Sequence, residues 1–228
     1  LLLIGMTPSL AIVIPVGPGD TAWRALLPQL EASGAWQIAL VLTAGEPEDP
    51  YPLSSNVTVV RASTGRAAQL NAGAAAIGAD WLWFVHADCR VDASTLAAAS
   101  GLVAADVAAI GYFDLRFLDD GPRLTALNTV GANLRSRLLG LPFGDQGLLM
   151  SRRVFLALGG FDERLSSGED HALAWTARKA GIPLRRLAAP IYTSARKYAQ
   201  HGWLQTTLRH VLLTGQQAWH FSRARESR

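Results

Sequence analysis

Three stretches of the chain place acids and bases where an element ends or begins. In WLWFVHADCR a hydrophobic run stops at Val85, and His86, Ala87 and Asp88 follow at once. In an open parallel sheet, ligands sit beyond the carboxyl ends of the strands. A carboxylate there has the chemistry to hold Mg²⁺ or Mn²⁺, because a small hard cation keeps few protein ligands and takes the rest from phosphate oxygens. Asp88 could equally cap the helix that begins near Ala93. In STGRAAQLNAG, Ser63 and Thr64 can cap, Gly65 lets another backbone approach, and Arg66 opens a helix. Free amides and a guanidinium at a helix N-terminus make a phosphate site. In GGFDERLSSGEDHALAW a polar loop leads to Glu169 and Asp170 at a helix start. The helix dipole accounts for two acids there, but it does not require so long an approach loop. Asp170 can act as a general base if the fold carries it to the phosphate-binding half.

The elements that must position these groups read as α/β. LAIVIPV, WQIALVL, VTVV and WLWFV are short, largely β-branched or aromatic runs bounded by Gly, Pro or polar residues. Runs apolar on both faces suit a covered parallel sheet. Helical periodicity lies between them, over 23–32, 66–77 and 93–103. Strand alternating with helix predicts a doubly wound half over about the first hundred residues. The second half gives a strand in GYFDLRF, a helix over 123–139, a short strand in GLLMS, helices over 152–158 and 169–180, and an amphipathic helix over 204–221. With no repeat, low-complexity block or linker, the reading is one domain. It has a nucleotide-type half over about 8–105, an acceptor-type half over about 106–200, and a C-terminal helix with a basic tail over about 203–228.

Half of the 228 residues are hydrophobic and 17% are charged, which excludes an intrinsically disordered chain. One cysteine, Cys89, excludes an internal disulfide framework and fits a reducing, cytoplasmic compartment. No basic stripe interleaved with aromatics runs through the body, so nucleic acid is not an expected partner. The end of the chain is basic, with Arg196, Lys197, Arg209, Arg223, Arg225 and Arg228 against Glu226. It can meet phosphates or the inner face of an anionic membrane, or simply be solvated. The opening LLLIGMTPSLAIVIPV lacks a basic start and is broken by Pro8 and Pro15. Leu10 to Val16 is therefore read as a first buried strand, and Leu1 to Gly5 as a leader or start-site artefact.

The order IVIPV, GRAAQLNAG, FVHAD, GGFDE and then ED resembles the family 2 glycosyltransferases of the GT-A fold. Within them HADCR, FDLRF, FGDQG and TSARKY resemble the branch associated with arsenosugar biosynthesis, whose label supplies no substrate for this chain. The resemblance spans roughly Leu10 to Thr214. It implies a Rossmann-like, mostly parallel central sheet flanked by helices, with a smaller acceptor-binding half. It also implies metal-dependent, inverting transfer from a nucleoside-diphosphate sugar to a hydroxyl acceptor. By this resemblance Asp88 is the last acid of the metal motif and His86 stands in place of the first. Pro15, Asp20, Arg66, Arg196 and Lys197 fall on the donor side, Asp145 and Gln146 line the acceptor pocket, and Asp170 is the base with Glu169 beside it. The turn after the second strand, LTAGEPED, has Thr43 and Ala44 where the family places a nucleotide-contacting acid, leaving Glu46 or Glu48 to substitute. The first turn, VGPGDTAW, keeps only Asp20 as an acid.

Other conspicuous residues receive structural readings. His171 is expected on a helix surface, and His201, His210 and His220 in structural roles. Trp81, Trp83 and Trp175 are expected in the core, and Cys89 as a small half-buried side chain. Trp203, Trp219 and Phe221 can face a membrane surface, giving a peripheral contact through the last helix, or pack on the domain, which is the default. Two rival functions stand beside glycosyl transfer. One is a nucleotidyltransferase, for which the first turn lacks the customary Gly-rich basic signature. The other is a non-catalytic nucleotide-binding relative, against which the ED pair argues.

Overall fold

The structure, a computed structural model, describes residues 8–32, 36–47 and 51–223, excepting the side chains of 220–223. The readings of Leu1 to Gly5, of Glu48, of the His220 and Phe221 side chains and of the tail beyond 223 lie outside the described residues.

Strands β1 (Leu10–Pro15), β2 (Gln37–Thr43), β3 (Val57–Ala62) and β4 (Trp81–Phe84) form the parallel half, in the order β3-β2-β1-β4. Helices α1 (Trp23–Glu31) and α2 (Arg66–Ala76) make two of the crossovers. The remaining strands are β5 (Cys89–Arg90), β6 (Ile110–Phe117), β7 (Leu148–Ser151) and β8 (Leu184–Thr193), and they continue the same sheet as β7-β6-β8-β5. β7 runs against both β4 and β6, and β5 runs against β8, while β6 and β8 are parallel. Helices α3 (Ala93–Ala105), α4 (Thr125–Leu139), α5 (Arg152–Ala157), α6 (Glu169–Lys179), α7 (Arg196–His201) and α8 (Trp203–Arg223) complete the described chain.

Strand alternation divides the core between the two faces of this sheet. Leu10, Ile12, Ile14, Ile38, Leu40 and Trp83 pack with α1 and α3 on one face. Ala11, Val13, Ala39, Val41, Leu82 and Phe84 pack with α2, α5 and α6 on the other. The small side chains of the second face let α2 lie close. A Cβ added at Gly73 would overlap Val13 Cγ1 and come within 2.7 Å of Val41 Cγ2. From the same helix Gln69 donates to Val16 O (2.7 Å) and Val41 O (2.9 Å), tying the ends of β1 and β2 together.

Three expectations change. VTVV forms an edge strand, with Thr58 and Val59 exposed, and is not covered on both faces. The ten-residue β8 has no counterpart in the sequence reading, because Pro190 and adjacent arginines disguise it. Its alternation is also broken where the register with β6 shifts between Phe113 and Asp114. The cap of α3 is Asp92, which accepts from Thr95 N and faces a Thr95 hydroxyl that reaches back to the Asp92 amide. Asp88 is thereby released from the capping role that competed for it.

Candidate active site

A pocket of about 260 Å³ opens at the edge of the sheet where β4, β6 and β8 end and antiparallel β7 begins. His86 and Asp88 come from the turn after β4, and Arg66 from the first turn of α2. Asp145 comes from the single 3₁₀ turn Gly144–Gln146, Asp170 from the first turn of α6, and Lys197 from α7. Six residues singled out in the sequence thus meet from five separate places in the chain.

Asp170 is held firmly. Its Oδ2 accepts from Gly144 N at 2.5 Å and its Oδ1 from His171 N at 2.8 Å. Gly144 separates this carboxylate from His86: a methyl there would lie 2.8 Å from His86 Nε2 and 3.1 Å from Asp170 Oδ2. Burial and the charges of Arg66 and Lys197 hold the His86 imidazole well below its usual range, so it is neutral near pH 7. Burial raises Asp145 to about 6, opposed by Arg135 and reinforced by the neighbouring charges of Asp170 and Asp88. Asp145 Oδ1 is buried without a hydrogen-bond partner.

The donor set suits a hard divalent cation. Asp88 and Asp145 line the same pocket and repel one another, and an orphaned carboxylate oxygen lies among them. Among the described residues no three His, Cys, Asp or Glu side chains form a ready cage. A cation there would draw its remaining ligands from diphosphate and water, as Mg²⁺ customarily does.

Other expected site residues stand behind the pocket. Glu169 is buried and pairs with Arg66 Nη1 at 3.2 Å, so it anchors the guanidinium from below. Gln146 is fully buried, donating to Phe113 O (3.0 Å) and accepting from the Ser136 hydroxyl (2.5 Å) and Phe143 N (3.2 Å). It pegs the 3₁₀ turn to β6 and α4 and does not line the pocket. Asp20 accepts from Arg196 Nη2 at 3.4 Å, and neither lines the pocket, nor does Pro15 at the end of β1. Glu46 Oε1 accepts from Gly19 N at 3.2 Å and bridges the turns after β1 and β2. Asn71 brackets the GGFDE loop, donating to Phe161 O (2.9 Å) and accepting from Phe161 N (3.0 Å).

The sequence reading missed the wall that α7 and α8 contribute. Tyr198, His210, Thr214 and Gln217 line the pocket, and Tyr198 Oη lies 3.2 Å from His210 Nδ1. His171, expected at a helix surface, is fully buried. It packs edge-on against Phe143, with Nδ1 3.0 Å from Gln217 Oε1, because α8 crosses over the start of α6. Trp81 and Trp83 are core as expected, while Trp175 is only partly buried. Cys89 is fully buried, and burial with the charges of Asp88 and Asp145 pushes its thiol well up, leaving it protonated and inert.

At the level of sequence, no family model and no curated protein matches the chain. Solved structures do. The chain superposes on S. aureus TarS 1-349 with a TM-score of 0.59 at 14% identity, over 82% of this chain and 60% of that one. It matches a longer TarS structure with the same score over 37% of that chain. TarS 1-349 in complex with UDP-GlcNAc matches equally well, over 58% of its length. The fold is GT-A-like. The chain spans less than two thirds of each of these chains.

Proposed function

We propose that this chain is a glycosyltransferase that moves a sugar from a nucleoside-diphosphate donor to a hydroxyl acceptor with inversion. The observation that carries the reading is the convergence on one pocket of a fixed carboxylate, Asp170, with Asp88, Asp145, Arg66 and Lys197. A structure of like fold that holds UDP-GlcNAc supports a nucleotide sugar as donor.

Arg66, braced by Glu169, and Lys197 bind the diphosphate and offset charge that grows on it as it leaves. Asp88, with Asp145 nearby, would hold Mg²⁺ or Mn²⁺, which when bound neutralises the leaving diphosphate as a Lewis acid. Asp170 accepts the proton of the acceptor hydroxyl as its oxygen bonds to the anomeric carbon and the bond from that carbon to the diphosphate breaks. Two backbone amides keep Asp170 aimed, so little reorganisation accompanies the step. Neutral His86 lies beside the same glycine and shapes the pocket without adding a cation.

The deciding experiment is a thermal-shift screen of nucleoside diphosphates and nucleotide sugars, each with Mn²⁺ and with EDTA. A ligand at a hundred times its dissociation constant adds about 2.7 kcal/mol to stability. A metal-dependent shift, followed by release of nucleoside diphosphate on adding acceptor, supports the reading. Release of pyrophosphate instead would make the chain a nucleotidyltransferase. Binding without release of either product would make it a nucleotide-binding protein.

A further inference from the structure

A second cavity adjoins the pocket and has a different character. It is a slot of about 460 Å³ between α4 and α8, with predominantly apolar walls, among them Leu115, Leu127, Ala132, Trp203 and Val211. Phe117, Phe143, Asp145, Tyr198, His210 and Thr214 line both the slot and the pocket, so the two are continuous. The helices are joined at one end through Asn128, which donates to the Thr207 hydroxyl (3.0 Å) and accepts from Trp203 Nε1 (2.6 Å). The slot is open to the outside, since its wall residues Leu127 and Val211 are exposed by 60% and 63%.

The outer faces of these helices are unusual for a surface. On α4, Leu127, Val130, Leu134 and Leu138 are exposed at spacings of three and four, and on α8 so are Leu204, Leu208, Val211 and Leu212. Each set falls on one side of its helix. Neither helix contains an acid; Arg209 on α8 is exposed, whereas on α4 Arg137 pairs with Asp114 of β6 at 3.0 Å and Arg135 turns inward to the slot. Contiguous exposed apolar surface of this kind marks an interaction site. Apolar helix faces that carry an exposed arginine and no acid of their own suit an anionic lipid surface better than a protein interface, whose rim carries both signs. Among the described residues no helix is long and apolar enough to cross a membrane, so the contact would be peripheral.

We propose that the slot holds the hydrocarbon chain of an amphipathic acceptor, drawn from a membrane surface on which the exposed faces of α4 and α8 rest. The inference rests on the glycosyltransferase reading for the acceptor's role, but not for the slot or the surface. The acceptor's polar end reaches the pocket past Tyr198 and His210 and meets Asp170. Its chain lies between the helices and leaves through the open side into the lipid. Arg135, which lines the slot with its guanidinium stacked 3.4 Å from the centre of the Phe143 ring, gives that inner end a cation for a phosphate or hydroxyl.

Gly131 offers a clean test. It lines the slot, and a Cβ there meets nothing within 4 Å, so Gly131→Leu puts a bulky side chain at the slot from an open position and improves helix propensity. Binding of farnesyl phosphate, farnesol and inorganic phosphate would be measured by calorimetry on the full chain. We expect saturable binding of farnesyl phosphate or farnesol and none of inorganic phosphate. Gly131→Leu should weaken the bound probe about tenfold or more and leave the nucleoside-diphosphate thermal shift intact. The stronger of the two prenyl probes identifies the head group. No prenyl binding, or equal binding by Gly131→Leu, overturns the slot.

The surface is tested separately by co-sedimentation with phosphatidylcholine vesicles, with and without phosphatidylglycerol. Wild type should pellet most with the anionic vesicles, and Leu134→Glu/Leu208→Glu should stay in solution while still binding the prenyl probe. No pelleting of wild type, or a stable dimer that the double variant dissociates, overturns the membrane contact. Prenyl binding without any response to nucleotides would leave the slot standing and remove the glycosyltransferase reading instead.

Discussion

Each oxygen of Asp170 receives a backbone amide, from Gly144 on one side and His171 on the other. That leaves one lone pair per oxygen for an acceptor proton and fixes the direction in which it points. Asp170→Asn keeps the shape but cannot accept the proton. Transfer should fall by about a hundredfold or more, with the nucleotide-dependent thermal shift preserved. An equal loss of both would make Asp170 structural. Gly144→Ala tests the same geometry from the other side, because its methyl must push His86 or Asp170 aside. The expected result is a kcat lower by about a hundredfold with a circular dichroism spectrum like wild type. Asp145 supplies a pH signature. Its carboxyl sits at about 6 in the folded protein against an ordinary 3.8, so the folded state holds the proton more tightly. Its favourable contribution is full below about pH 4 and is lost as pH rises through about 6. In EDTA, the melting point of Asp145→Asn relative to wild type should therefore climb across that window and level off above it.

At the scale of elements, the turn from β5 into α3 is the most completely satisfied helix start. Asp92 accepts from Thr95 N at 2.9 Å and from the Ser94 hydroxyl at 2.6 Å, and these bonds hold its carboxyl down at about 2. Asp92→Ala should cost about 1 kcal/mol of stability at neutral pH by chemical denaturation. The deficit should shrink as pH falls toward 2 and wild type loses the same charge. The parallel half was legible in the sequence because β1, β2 and β4 are buried on both faces and announce it by unbroken apolar runs. β8 was not, since its register shift breaks the alternation on which a strand is read. Arg66, His86, Asp88 and Asp170 were legible because each stands at the junction of a strong element and a polar turn. Gln146 and Glu169 show the limit of that logic. Position next to a site residue says nothing of direction, and both side chains point into the protein. The α8 wall escaped notice because an amphipathic helix reveals which residues are apolar, not which neighbour it crosses.

For the whole molecule, one sheet runs without a break from the parallel half into the mixed half through the pairing of β4 with β7. The core on each face draws residues from both halves, such as Trp83 with Phe113 and Phe84 with Phe155. Arg152 adds a clamp, its guanidinium donating to the carbonyls of Ala74 (2.7 Å), Ala79 (2.6 Å) and Ile77 at the end of α2. The two halves should therefore unfold together, with far-ultraviolet circular dichroism and tryptophan fluorescence giving coincident melting curves. Two separated transitions would make the halves independent domains. The order of elements carries a further consequence for biosynthesis. The helix that walls the pocket follows all eight strands of the sheet in the chain. A ribosome therefore delivers the sheet, with Arg66, His86 and Asp88, before the helix that encloses their pocket. A nascent chain can complete the sheet before α8 emerges and lies down across α6 to close the pocket.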